Sequence, residues 1–240
     1  MRFSFKSQLI EFKPRIVPLV SFLLALGILI SFSSWQFKRL EWKKNLINLR
    51  ISNFEKLPKE LTSFKEPTKN EFRKIITTGS FLNDKEMFMP ALSKNGNNGF
   101  HILLPFRTSD DKYYIFDTGW IPLKLKEKPI RKVNLINESK QYEAVIRTPG
   151  RKGYFQPDND TIKNTWFFVE PSLMSEYLQI PFVNEIYLEA VNDGLGGYPI
   201  GNQTRIYLRN NHLQYALTWM FLSFGLIGVF LFSNLKIIKK

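Results

Sequence analysis

Two long stretches without a charged residue, one near each end, constrain the fold of this chain more than any other feature. Ile16 to Phe37 reads IVPLVSFLLALGILISFSSWQF, 22 residues in all. At 1.5 Å of rise per residue, such a helix crosses a hydrocarbon core of about 30 Å. The second stretch runs from Asn210 to Leu235 between Arg209 and Lys236, and its dense apolar part is Tyr215 to Phe232. Both are long enough for a transmembrane helix. A cleaved signal peptide would have a shorter core followed by an A-x-A-like site. The first stretch has neither property, so an uncleaved anchor is expected.

This divides the chain into an N-terminal tail (1–15), a first span (16–37), a domain outside the bilayer (38–209), a second span (210–235) and a C-terminal tail (236–240). Two spans put both tails on one side. Arg2, Lys6, Lys13 and Arg15 in one tail and Lys236, Lys239 and Lys240 in the other favour cytoplasmic tails. Lys38, Arg39, Lys43 and Lys44, just past the first span, pull the other way. The 172 residues between the spans are too many for their charge to weigh heavily. Only 15 residues precede the first span, short for a mitochondrial targeting helix with its cleavage region. A bacterial inner membrane with a periplasmic domain is therefore expected, and a mitochondrial inner membrane second.

Cysteine is absent, which excludes disulfides, thiolate metal sites and a cysteine nucleophile. His101 and His212 are the only histidines, too few for a multi-histidine zinc site. The net charge of +13 invites a nucleic-acid reading. No helix-turn-helix, zinc-finger or ribonucleoprotein motif accompanies it, so no nucleic-acid partner is expected. Between the spans the balance is 27 basic to 20 acidic residues, which suits a domain held near anionic lipid headgroups.

The segment Trp35 to Leu57 predicts a helix continuing out of the bilayer as far as Pro58. Trp35, Arg39, Trp42 and Leu46 share one of its faces. Beyond it, β-branched and aromatic residues predict strands over 72–82, 86–92, 100–108, 112–121, 142–148, 165–170, 186–191 and 203–208. Turn chemistry lies between them at Asn95–Gly99 and Ser109–Asp111. Pro171 to Gln179 predicts one short helix. Strands so closely spaced, with no strand–helix alternation, argue for a small antiparallel barrel or sandwich rather than a Rossmann or TIM architecture. The expected fold class is thus a membrane protein with two transmembrane α-helices flanking a β-rich (α+β) extramembrane domain.

At these residues the chain resembles a known family. Trp35-Gln36, Arg39, Trp42-Lys43 and Leu46-Ile47 are similar to the W-Q-x-x-R-x-x-W-K-x-x-L-I signature of the Surfeit locus protein 1 family of cytochrome c oxidase assembly factors. Gly79-Ser80-Phe81, Gly99-Phe100-His101 through Pro105, and Gly119-Trp120-Ile121-Pro122 resemble its later motifs. Asn211-His212-Leu213-Gln214-Tyr215-Ala216-Leu217-Thr218-Trp219 resembles the start of its second span. The motifs follow family order from Trp35 to about Phe232. Thr118 stands where the family usually has arginine, and Ser33 where it usually has glycine. The resemblance implies assembly of a haem–copper terminal oxidase, with haem a bound or stabilised for insertion. It implies nascent cytochrome c oxidase subunit I and haem a synthase as partners, beside the lipid bilayer.

His212 is the candidate haem-iron ligand, since neutral imidazole is a common axial donor. On a helix, Tyr215, Ala216 and Trp219 follow at i+3, i+4 and i+7 on the same side. There a small Ala216 would leave room for a flat macrocycle and Trp219 could line it. The competing structural reading makes His212 a helix-end residue and Trp219 ordinary packing bulk. Arg39 suits a haem propionate, or else it snorkels to phosphate or water within an interfacial aromatic belt. His101, in a β-type segment, is expected to be structural or solvent-facing. Catalytic residues are not expected. A scaffold that holds the nascent subunit without touching haem, and a membrane-tethered hydrolase, are the alternatives. A hydrolase would require a deep polar pocket in the β domain.

Overall fold

The computed structural model describes residues 2–5, 8–93, 95–127 and 139–238, and the chain divides into two compact units. The first comprises residues 1–48 and 208–240, the second residues 49–207.

In the first unit the two apolar stretches are helices, α1 (Ile16–Glu55) and α3 (His212–Asn234), each long and apolar enough to cross a membrane. Helix α1 runs for 40 residues, far beyond the apolar stretch, and its last turns belong to the second unit. Pro58 lies three residues past its end, as expected of a residue that cannot continue a helix. The helices approach closely where side chains are small. Ser33 and Ala216 are both buried, and the Ser33 hydroxyl donates to the Ala216 carbonyl at 3.0 Å. Small residues allow backbones this near, and a hydroxyl then finds a carbonyl across the seam. Phe22 stacks on Phe230 at 4.0 Å, and Phe32 meets Trp219 at 5.1 Å. The tails are not plain extensions: β1 (Arg2–Phe5), β2 (Gln8–Phe12) and β10 (Leu235–Ile238) form a three-stranded antiparallel sheet with β2 in the centre.

The second unit is a small closed barrel, one of the two architectures, barrel or sandwich, that the strand density predicts. Its strands are β3 (Lys59–Glu60), β4 (Lys74–Phe81), β5 (Met87–Leu92), β6 (Asn98–Thr108), β7 (Tyr113–Pro122), β8 (Lys140–Arg147) and β9 (Tyr187–Ala190). They are ordered β3-β4-β8-β9-β7-β6-β5, and β6 returns to β4 to close the ring. Strand β6 pairs with β7 along one edge and is long enough to serve two neighbours along the other. Asn98–Leu103 pairs with β5, and Phe106–Thr108 pairs with Gly79–Phe81 of β4. Every pair is antiparallel except β3–β4 and β7–β9.

Inward residues of the barrel form one core around Ile75, Phe106, Phe116, Ala144, Ile146 and Leu188. A second core on its outer surface gathers Met87, Leu103, Ile115, Trp166, Met174 and Tyr187. Met174 belongs to α2 (Pro171–Leu178), which starts with proline at its first turn and stops at Gln179 in the left-handed conformation. Proline's fixed φ suits a helix start.

Two expected strands are absent. Thr165 makes only isolated bridges, to Phe88 and Asp160, and Trp166 is wholly buried. The apolar run 165–170 is core filling rather than ladder. Residues 203–208 alternate between exposed and half-buried, as an extended chain does, yet join no ladder among the described residues. Alternation reports extended backbone, and only a hydrogen-bonding neighbour makes it a strand.

Candidate functional site

In the first unit, the interhelical seam sets the environment of His212, the first residue of α3. Ser33, Gln36 and Leu40 are half-buried or buried on α1, spaced as one helical stripe. Gln36 reaches across, and its amide oxygen lies 2.7 Å from Nδ1 of His212. A carbonyl oxygen only accepts, so Nδ1 carries a proton, and in the neutral tautomer with this bond Nε2 carries the lone pair. That is the tautomer a metal-binding imidazole needs, with its second nitrogen tied to a fixed acceptor. The backbone N–H of His212 donates to the Asn210 side-chain oxygen at 3.4 Å.

The other expected site residues are arranged around this pair as follows. Trp219, two turns further along α3, is half-buried against Phe32. Tyr215 is exposed. Ala216 is buried, and its carbonyl accepts from the Ser33 hydroxyl, so its small size serves the helix contact. Arg39 is exposed and lies 4.2 Å from the ring of Trp42, one turn on. Gln36 stood in the tryptophan–glutamine motif but was not linked to His212, and helix periodicity alone cannot pair residues 176 positions apart.

The second unit holds a buried charge row that the sequence reading missed. Asp117 on β7 and Glu189 on β9 are register partners on parallel strands, so their carboxylates project side by side. Both are buried. His101 caps one end, with Nδ1 at 2.7 Å from Asp117 Oδ2. Burial alone would lower the pKa of this imidazole, but the charge and hydrogen bond of Asp117 outweigh it and raise the value. His101, expected to be structural or solvent-facing, is largely buried in this ion pair. Arg147 caps the other end, donating from Nη1 to Glu189 at 2.7 Å and from Nε to Glu71 at 3.4 Å. Tyr187 and Thr204 hydroxyls complete the Glu189 shell at 3.0 and 2.6 Å.

A cavity of about 270 Å³ lies against Phe81, Ile102, Leu104, Phe116 and Thr118, with Glu86, Glu143 and Asp193 around it. His101 does not line it. Thr118 uses its hydroxyl locally, donating to the Ile102 carbonyl at 3.0 Å. Among the described residues no group of three or more histidines and carboxylates could hold a metal ion.

Two helices apolar enough for a membrane and a closed β-barrel between them in sequence define a membrane-anchored barrel protein. Comparison with known proteins makes the class specific. A family model described as the SURF1 family matches residues 23–224. A SURF1-like protein of Drosophila melanogaster is 30% identical over 92% of this chain and 79% of its own length. The SURF1-like protein of Rickettsia felis is 26% identical over 95% of this chain and 99% of its own. Surfeit locus protein 1 of Homo sapiens is 28% identical over 79% of this chain and 68% of its own. The chain belongs to the SURF1 family, a family of oxidase assembly factors.

Proposed function

We propose that this chain is an inner-membrane assembly factor that holds haem a, as cargo, for insertion into the catalytic subunit of a haem–copper oxidase, with no turnover chemistry of its own. The observation that carries this reading is the His212–Gln36 pair. A neutral imidazole with its Nδ1 proton fixed on a glutamine fits an axial position on haem iron through Nε2. Trp219 would line the macrocycle. Arg39, released from Trp42, and Tyr215, at the exposed surface, would meet its polar edge. The bound haem would supply redox and ligand-binding capacity to the oxidase, while this chain keeps it oriented until transfer.

The barrel domain lies on the periplasmic side in this reading, with both tails cytoplasmic and the nascent subunit I and haem a synthase as partners. A hydrolase is disfavoured because neither the cavity beside Phe81 nor the one beside Thr77, Thr108 and Asp110 includes the His101–Asp117 pair.

The test is the absorbance spectrum of protein purified in detergent from cells making haem a. Wild type is expected to carry a haem signal that His212→Ala abolishes. Gln36→Leu keeps the ligand but loses its acceptor, and is expected to weaken haem retention about 10–100-fold, the usual effect of removing such a partner. Haem in all three at equal occupancy, or in none, would reject the proposal and leave a protein scaffold.

A further inference from the structure

A loop of the barrel domain displays a patch that neither the fold nor the helix pair uses. Thr148 to Pro157 reads TPGRKGYFQP, with two basic residues and no acidic one. Tyr154 and Phe155 are 94% and 93% exposed, and their rings meet edge to face at 4.9 Å. The backbone beneath them is fastened. Gly153 donates to the Gln156 side chain at 3.0 Å, Gln156 Nε2 donates to the Phe167 carbonyl at 2.6 Å, and Lys152 pairs with Asp158. Two aromatic rings are thus held out in water by a braced loop. Grouped exposed apolar side chains mark a surface that something covers.

The origin of the loop indicates what covers it. It leaves β8 directly after Arg147, whose guanidinium lies 4.6 Å from the Phe72 ring. Arg50 lies 4.5 Å from the same ring, and its Nη1 donates to the Arg205 carbonyl at 3.5 Å. Arg50 and Arg205 stand beside the two points where the chain enters and leaves this unit. The loop therefore starts from the pole of the barrel that carries both tethers, and each tether leads into a helix long and apolar enough to cross a membrane.

We propose that Tyr154 and Phe155 insert into the headgroup layer of that membrane, with Arg151 at lipid phosphates, so that the barrel domain touches the bilayer at a third point. Aromatic rings beside basic side chains are the composition of interfacial anchors.

The chain has no cysteine, so one introduced thiol reports cleanly. At Gly153 an added Cβ meets only the Gln156 side chain at 3.5 Å, and at Gly150 it meets nothing within 4 Å. Full-length Gly153→Cys, labelled with a polarity-sensitive nitrobenzoxadiazole dye, goes into nanodiscs of phosphatidylcholine with or without phosphatidylglycerol. The expected result is blue-shifted emission, quenched several-fold more by shallow nitroxide lipids than in a Tyr154→Ser/Phe155→Ser background with the same melting temperature. The Gly150→Cys label repeats the measurement should the first one alter the loop. Water-like emission and equal quenching in both backgrounds would overturn the proposal. So would a label shielded only when an oxidase subunit is reconstituted alongside, which would assign the patch to a protein partner.

Discussion

Replacing Arg147 by methionine tests the barrel's charge row at its most exposed logic. The substitution keeps an apolar side chain of similar length but removes the guanidinium that lies over Phe72. Glu189 then loses its only charged donor among the described contacts and keeps the Tyr187 and Thr204 hydroxyls. It also stays beside Asp117, a second buried carboxylate one strand away. Removing one partner of a buried pair costs about 3–5 kcal/mol, because the other charge stays buried without compensation. At 2–4 °C per kcal/mol for a domain of this size, melting should fall by roughly 6–20 °C. The assay is thermal unfolding in detergent followed by tryptophan fluorescence, which reports the buried Trp120 and Trp166. A second substitution isolates the cause. Arg147→Met with Glu189→Gln removes the stranded charge as well, and most of the lost stability should return. A single mutant that costs under about 1 kcal/mol, or a double mutant whose cost is the sum of the singles, would refute the reasoning.

The remaining predictions concern other links of the same structure. The folded-state pKa of His101 lies above its unfolded value. Its pairing with Asp117 therefore stabilises fully below about pH 6.5 and is lost as pH rises through the folded value. His101→Gln should flatten that part of the stability–pH curve, read from urea midpoints at a series of pH values. Gly79 sits where β4 meets β6, and an added Cβ would lie 2.2 Å from the Arg107 carbonyl oxygen and 2.7 Å from Phe106. Gly79→Ala should cost about 1–3 kcal/mol or more by wedging the closing seam apart, measured by the same melting assay. An unchanged midpoint would mean that the seam relaxes freely.

The helices were legible because hydropathy over 22 residues needs no partner to be read. Strand-rich character was legible too, since β-branched and aromatic residues cluster between turn signals. The family motifs became intelligible only in three dimensions. An added Cβ at Gly99 would strike the Trp120 ring, and one at Gly119, with φ of 119°, would strike the Ile200 carbonyl. These glycines therefore mark close approaches between segments far apart in sequence. The same distance in sequence hid the contacts that matter chemically. Nothing local joins Gln36 to His212 or Asp117 to Glu189; strand register and helix pairing create both. Residues 165–170 and 203–208 misled for a related reason, because their composition is strand-like while no neighbour completes the ladder.

Arg50 and Arg205 are joined by a hydrogen bond, so the folded barrel presents its two chain ends as a closed clasp. Without that clasp, residues 49–207 form one long flexible ring between the helices. Closing a ring of that length costs roughly 4–5 kcal/mol by the logarithmic law. Folding of the barrel and pairing of the helices each bring the ends of the same segment together, so whichever comes first removes this closure cost from the other.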